Sequence, residues 1–173
     1  MLGGGAMKRD PQALALLPPE EQARRALATA FSALARRPRS QAELGVLLRR
    51  KGFAADAVER ALDRLRELGY LDDRAIADAA VRTAVRRGLG RRRVEQLLAR
   101  RGLSGELARE AAARSAEGEL ERARGLLSRF PTPLEDVRAK GRAFRFLVAR
   151  GFPGRVADQA VRSAAEPRSG GDE

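Results

Sequence analysis

Between Arg82 and Arg101 the chain places eight arginines, Arg82, Arg86, Arg87, Arg91, Arg92, Arg93, Arg100 and Arg101, against the single acid Glu95. The net charge of that stretch is +7 over 20 residues. Arginine keeps its charge at every physiological pH, and its planar fork of N–H donors matches phosphate and carboxylate. Such a run points to binding of a polyanion rather than to bond-making chemistry. At about 100° per residue, Arg92, Arg93 and Arg100 fall opposite the apolar stripe Val94, Leu97 and Leu98, and so face outward. Arg49, Arg50 and Lys51 form a smaller group of the same sign near the end of an earlier helix. A merely solvated helix face interleaves acids and bases, as Glu59, Asp63 and Glu67 do with Arg60, Arg64 and Arg66.

Other chemistry is thin. The 173 residues contain no Cys and no His. That removes disulfides, thiolate nucleophiles, zinc sites of the Cys/His kind and histidine general bases. No phosphate-cradling G-x-x-x-x-G-K-[ST] loop, no G-x-S-x-G and no G-x-G-x-x-G motif occurs. Asp72 and Asp73 are an adjacent acid pair that could suggest a metal. They precede a helical pattern, where carboxylates serve as caps and complement the helix dipole, and no further ligands cluster with them. No catalytic residue, metal or cofactor is therefore expected.

The formal net charge is +12 and the sequence pI about 11.5. A charge this large is a statement about partners: nucleic acid, an acidic protein surface or an anionic membrane. Lys occurs only at 8, 51 and 140, so the basic side is almost all Arg. Codon usage in a GC-rich genome explains that preference as well as function does. No apolar run approaches the length of a membrane span, and Ala13–Leu17 is too short for the apolar region of a secretory signal. The expectation is a cytoplasmic protein without a membrane partner, with Met1 or Met7 as its start.

The elements that must position the arginines are helices. Charged residues make up 34% of the chain and aromatics only 4%, with Ala, Leu, Arg and Glu dominant, a composition that favours helix. One phrase recurs: Leu48-Arg49-Arg50-Lys51-Gly52-Phe53, Leu98-Ala99-Arg100-Arg101-Gly102-Leu103 and Leu147-Val148-Ala149-Arg150-Gly151-Phe152. The glycines stand 50 and 49 residues apart, and such self-similarity marks a repeat protein. Apolar periodicity predicts helices over about 19–36, 41–51, 54–68, 73–87, 91–101, 104–114, 116–130, 133–150 and 153–165. Ser40 with Glu43 has the capping-box pattern, Ser104 reads as a cap, and Thr132-Pro133-Leu134-Glu135 reads as cap, first-turn Pro and acid. Val137, Gly141, Phe144, Leu147 and Val148 read as the inward face of the eighth helix. The sole Tyr, Tyr70, reads as a core residue with its hydroxyl at the edge.

The expected fold is all-α: a tandem array of three three-helix repeats over 19–70, 71–114 and 115–166, forming an elongated, curved molecule. Flexible tails are expected at 1–18 and 167–173, with Gly52, Gly102 and Gly151 at equivalent turns.

Leu68-Gly69-Tyr70-Leu71-Asp72-Asp73 followed by Ala77, then Arg86-Arg87-Gly88-Leu89-Gly90 with Arg93-Val94 and Leu98-x-x-Arg101-Gly102, resembles the RecX regulatory proteins of bacteria. Ile76 stands where an aromatic is common in that family. The resemblance spans about residues 26–165 and is most specific in the middle third. It implies a stack of three-helix repeats without enzyme activity, acting in DNA repair and recombination. It also implies binding to the RecA recombinase and its filament on single-stranded DNA, inhibiting strand exchange and ATP hydrolysis. The Arg side chains would then meet acidic protein surface and DNA phosphate, and the molecule is expected to act as a monomer. The alternative is a DNA-binding repressor, since Ser40–Asp73 also fits a helix-turn-helix. That reading requires a β-hairpin wing after the recognition helix, where the pattern from Asp73 onward is helical.

Overall fold

The computed structural model describes residues 14, 16–103, 105–131 and 133–166. Among the described residues it contains nine α-helices and no strand. They are α1 Pro19–Leu34, α2 Gln41–Arg50, α3 Ala55–Glu67, α4 Asp73–Arg86, α5 Arg91–Arg100, α6 Gly105–Ala116, α7 Glu119–Leu127, α8 Val137–Ala149 and α9 Gly154–Ala165. After α3 the chain passes through Gly69–Asp72 directly into α4, so the hairpin a winged repressor needs is not there. The chain divides into two compact units, Met1–Ile76 and Ala77–Glu173.

In the first unit α3 packs against both α1 and α2. Ala26, Ala30 and Ala33 give α1 a small-residue face, against which Leu44 and Leu48 of α2 and Val58, Ala61, Leu62 and Leu65 of α3 are buried. Full burial of a Leu or Val side chain is worth about 1.5–3 kcal/mol. Ser40 starts α2 with the expected capping box: its hydroxyl accepts from Glu43 N at 3.1 Å, and the Glu43 carboxylate accepts from Ser40 N at 2.9 Å. The packed structure reaches further back than a tail ending at Pro18. Leu14 is 5% exposed within this core, Leu17 packs beside it, and the Gln22 side chain donates to Leu17 O at 3.1 Å. Residues 1–13 lie outside the described residues, as do 167–173.

In the second unit α9 packs on α7 and α8, and α5 packs on α6. One core combines Ala123 and Leu127, Ala143 and Leu147, and Phe152, Ala157, Ala160 and Val161. Val94, Leu98, Leu103, Ala111 and Ala112 are buried in the α5–α6 part.

The three glycines do sit at equivalent turns, each between the second and third helix of a triplet. Their φ values are 89°, 70° and 88° at Gly52, Gly102 and Gly151, a region that costs any residue with a Cβ about 1–2 kcal/mol. Each turn satisfies two helix-end carbonyls in the same way. Gly52 N donates to Arg49 O and Phe53 N to Leu48 O; Gly102 N to Ala99 O and Leu103 N to Leu98 O; Gly151 N to Val148 O and Phe152 N to Leu147 O. The apolar residue after each glycine is folded back and buried: Phe53, Leu103 and Phe152.

Several local expectations are corrected. The eighth helix starts at Val137 rather than Pro133, because the Asp136 side chain is the cap, accepting from Ala139 N at 2.6 Å. The preceding segment stays irregular while Leu134 packs on the second core. Ser104 and Thr132, the caps read from sequence, lie outside the described residues. The buried face of α8 is Ala139, Ala143 and Leu147. Val137 is 85% exposed, and Phe144 and Val148 sit at the surface too, Val137 and Phe144 along the open groove between α8 and α9. The seventh helix begins only at Glu119, since Gly118 adopts φ 62° and breaks it from α6. Leu68 is exposed at the end of α3, and Tyr70 is 57% exposed, standing T-shaped against Phe31 at 4.9 Å rather than inside the core.

Candidate polyanion-binding site

α4 and α5 carry the arginine run, joined by the turn Arg87–Gly90. Gly88, at φ 63°, ends α4, and Leu89 N donates back to Ala84 O at 3.0 Å. Gly90 is the N-cap of α5. Its N–H donates to Arg150 O and the Arg92 N–H to Gly151 O, both at 3.0 Å. The Arg91 N–H donates to the Glu119 carboxylate at 2.6 Å. The first amides of α5 are therefore taken by the protein itself, and this helix start is not an anion cradle of the kind that bare N-termini provide. Any polyanion here is held by side chains.

Those side chains divide into two sets. Arg82, Arg86, Arg87, Arg92 and Arg100 are exposed, and among the described residues none pairs with a carboxylate. Arg91 is partly withdrawn and lies 3.7 Å from Glu95. Arg93 donates to the Gln96 side chain at 3.0 Å, with its backbone packed against Gly151, and Arg101 is partly buried and engaged. The outward cluster read from the helical wheel thus keeps Arg92 and Arg100 at the surface while Arg93 leans on the fold. Arg150 adds a structural charge: it donates to Arg87 O at 3.4 Å and covers the Phe146 ring at 4.8 Å.

The contrast with α3 is direct. There Arg60 pairs with Asp56 at 3.1 Å, Arg64 with Glu67 at 2.9 Å and Arg66 with Asp63 at 2.6 Å. Such exposed pairs add little stability, but they neutralise the face. Along α4 and α5, Arg82, Arg86, Arg92 and Arg100 have no such carboxylate partner among the described residues. Arg49, Arg50 and Lys51 are exposed at the end of α2 in the first unit and pair with no carboxylate among the described residues. Not every arginine is available for binding: Arg122 donates to Ser115 O and Glu117 O at the end of α6, and burial lowers its pKa from the ordinary arginine value.

Asp72 and Asp73 are both used as caps. Asp72 accepts from Ala75 N at 2.8 Å at the start of α4, and Asp73 accepts from Gln41 N, the first amide of α2, at 2.9 Å. Glu119 does for α5 what Asp73 does for α2: in each case the first residue of a helix caps the middle helix of the preceding triplet. Glu119, only 5% exposed, is a residue that sequence reasoning missed. The signal was its distance of 46 residues from Asp73, close to the glycine period. Glu119→Ala leaves the Arg91 amide without its partner, at an expected cost of about 1–3 kcal/mol. Thermal unfolding checks this; a melting temperature equal to that of the unchanged chain would count against the bond.

Two family profiles match the chain: one described as "RecX, first three-helix domain" over residues 26–65 and one as "RecX, second three-helix domain" over 72–111. The chain is 41% identical over 149 residues to Regulatory protein RecX of Deinococcus radiodurans, covering 85% of this chain and 72% of that one. It is 43% identical over 145 residues to Regulatory protein RecX of Thermus thermophilus, covering 84% and 96%. The crystal structure of RecX from Lactobacillus salivarius superposes with a TM-score of 0.76 at 17% identity, over 84% of this chain and 97% of that one. A second crystal structure, of regulatory protein RecX, gives 0.71 at 20% identity over 92% and 80%. The two solved structures share the helical fold, and the two relatives share enough sequence over most of both chains to place this one with them: it belongs to the RecX family of regulatory proteins.

Proposed function

We propose that the chain is a regulator that binds RecA and its filament on single-stranded DNA, and inhibits strand exchange and DNA-dependent ATP hydrolysis. The observation that supports this most is the set of exposed, unpaired arginines on α4 and α5 in a chain of this family. A RecA filament on DNA offers acidic protein groups and phosphates side by side, and Arg recognises both. Cytoplasmic action and a monomeric regulator follow from the same reading. The regulator acts through binding, with no catalytic group of its own.

The experiment is a titration of this chain into RecA from the same organism on single-stranded DNA, following ATP hydrolysis. Inhibition is expected at a ratio well below one regulator per recombinase, because one bound molecule blocks growth of many subunits. An unchanged rate across a wide titration would count decisively against the reading.

A further inference from the structure

The last triplet keeps open a groove that the first two close. Eleven residues before each turn glycine stand Gln41, Arg91 and Lys140. In the first two triplets a carboxylate from the start of the next helix lands at that position. Asp73 accepts from Gln41 N at 2.9 Å, and Glu119 accepts from Arg91 N at 2.6 Å. At Lys140 the amide is already taken. α8 has 13 residues against 10 in α2 and α5, and its extra first turn places the Lys140 N–H on Asp136 O at 3.0 Å. The first triplet adds a bridge across its groove, where Arg66 donates to the Gln41 side chain at 3.0 Å. Ala165, 14 residues after its glycine as Arg66 is, cannot make that bridge to Lys140. A groove of about 610 Å³ is left between α8 and α9. Its floor is apolar, with Val137, Phe144, Val161 and Ala165, and its α8 rim is basic, with Lys140 and Arg145. α8 contains no acid at all. Asp158 pairs with Arg162 at 2.9 Å, which leaves Glu166 as the remaining acid of the lining. Among the described residues neither Lys140 nor Arg145 has a carboxylate partner.

From this we propose that the α8–α9 groove takes an amphipathic helix of another protein, with acids in its first turn and large apolar side chains along one face. The acids meet Lys140 and Arg145, in the place where Asp73 and Glu119 serve the earlier triplets. The apolar face covers Phe144 and Val137, which are 36% and 85% exposed. Seating an amphipathic helix by apolar anchors at spacings of three and four is a common mode of recognition. A second copy of this chain suits the groove less, because it brings a net charge of +12, the same sign as the rim. No recombinase enters the argument, so the groove stands or falls separately from the function proposed above.

The test uses the full chain, with no RecA present, and the anisotropy of a fluorescein-labelled helical peptide. The peptide has about 16 residues, Asp and Glu in its first turn, and Leu at alternating spacings of three and four. The unchanged chain should bind it. Exchanging the peptide's acids for Asn and Gln, or its leucines for Gln, should weaken binding at least about tenfold. On the protein, Lys140→Glu with Arg145→Glu should weaken it at least about tenfold, and so should Phe144→Ser. Arg109→Glu, a reversal of charge at an exposed position of α6, should leave it unchanged. If Phe144→Ser fails to fold, Val137→Ser, at a side chain outside the core, should still weaken binding about threefold. No binding by the unchanged chain, or equal binding by the folded groove variants, overturns the proposal. Binding indifferent to the leucines leaves only a charged rim for polyanions and overturns it too. A dimer in sedimentation velocity that Phe144→Ser abolishes assigns the groove to a second copy. Peptide binding that appears only after removal of 167–173 assigns it to the chain's own end; either result overturns the proposal. Failure to inhibit RecA, with peptide binding intact, bears only on the recombinase reading.

Discussion

Gly90→Ala is expected to lower the melting temperature by about 6–12 °C, a loss of at least about 3 kcal/mol. Gly90 sits at the start of α5 with its backbone pressed on the turn between α8 and α9. A Cβ there would stand 2.3 Å from Phe152 N and 2.4 Å from both the carbonyl carbon and the oxygen of Gly151. These neighbours are backbone atoms, so no side chain can swing aside. The chain must separate, and the bonds from Gly90 N to Arg150 O and from Arg92 N to Gly151 O stretch or break. Gly151→Ala meets the same contact from the other side, 2.5 Å from Arg93 N, and adds the cost of a left-handed φ of 88°. Gly125→Ala is the control. Gly125 lies inside α7, and a Cβ there meets nothing within 4 Å, so the substitution should stabilise by about 0.5–1 kcal/mol. Calorimetry on the three variants decides it; equal melting of Gly90→Ala and the unchanged chain would mean that the α5–turn contact does not form.

The second large effect is on binding. Reversing Arg86, Arg87 and Arg92 to Glu changes the charge of the α4–α5 surface by six units. All three side chains are exposed and carry no ion pair among the described residues, so the fold should keep its melting temperature. Arg91 and Arg93 are left alone because they touch the fold: Arg91 lies near Glu95 with its amide bound to Glu119, and Arg93 packs on Gly151. Under the recombinase reading, affinity for the RecA–DNA filament falls at least about tenfold, or 1.4 kcal/mol, and the salt dependence of binding flattens as counterion release is lost. Circular dichroism with a filament co-sedimentation assay across salt concentrations separates the outcomes. A folded variant that binds as tightly as the unchanged chain would leave the arginine run as a solvated face, and the partner surface would then be sought around Lys140, Arg142 and Arg145 on α8.

What the sequence determined by itself was whatever depends on near neighbours. Helices and their order follow from apolar residues three and four apart. The turns at Gly52, Gly102 and Gly151 follow because one residue type tolerates that backbone region and the next apolar residue folds back over the helix it ends. The cap at Ser40 and the excess positive charge on α4 and α5 are equally local. Tertiary structure decided what depends on distance of approach. On α8 the bulky face of Val137, Phe144 and Val148 carried more apolar area, yet Ala139, Ala143 and Leu147 are the buried residues, and Ala143 and Leu147 join a core with Ala123, Leu127, Phe152 and Ala157 that comes from elements far away in the sequence. Asp73 and Glu119 cap helices that begin 32 and 28 residues earlier in the chain, and Gly90 meets Gly151 across 61 positions. No local pattern records such bonds, since a carboxylate at a helix start looks the same whether it caps its own helix or another.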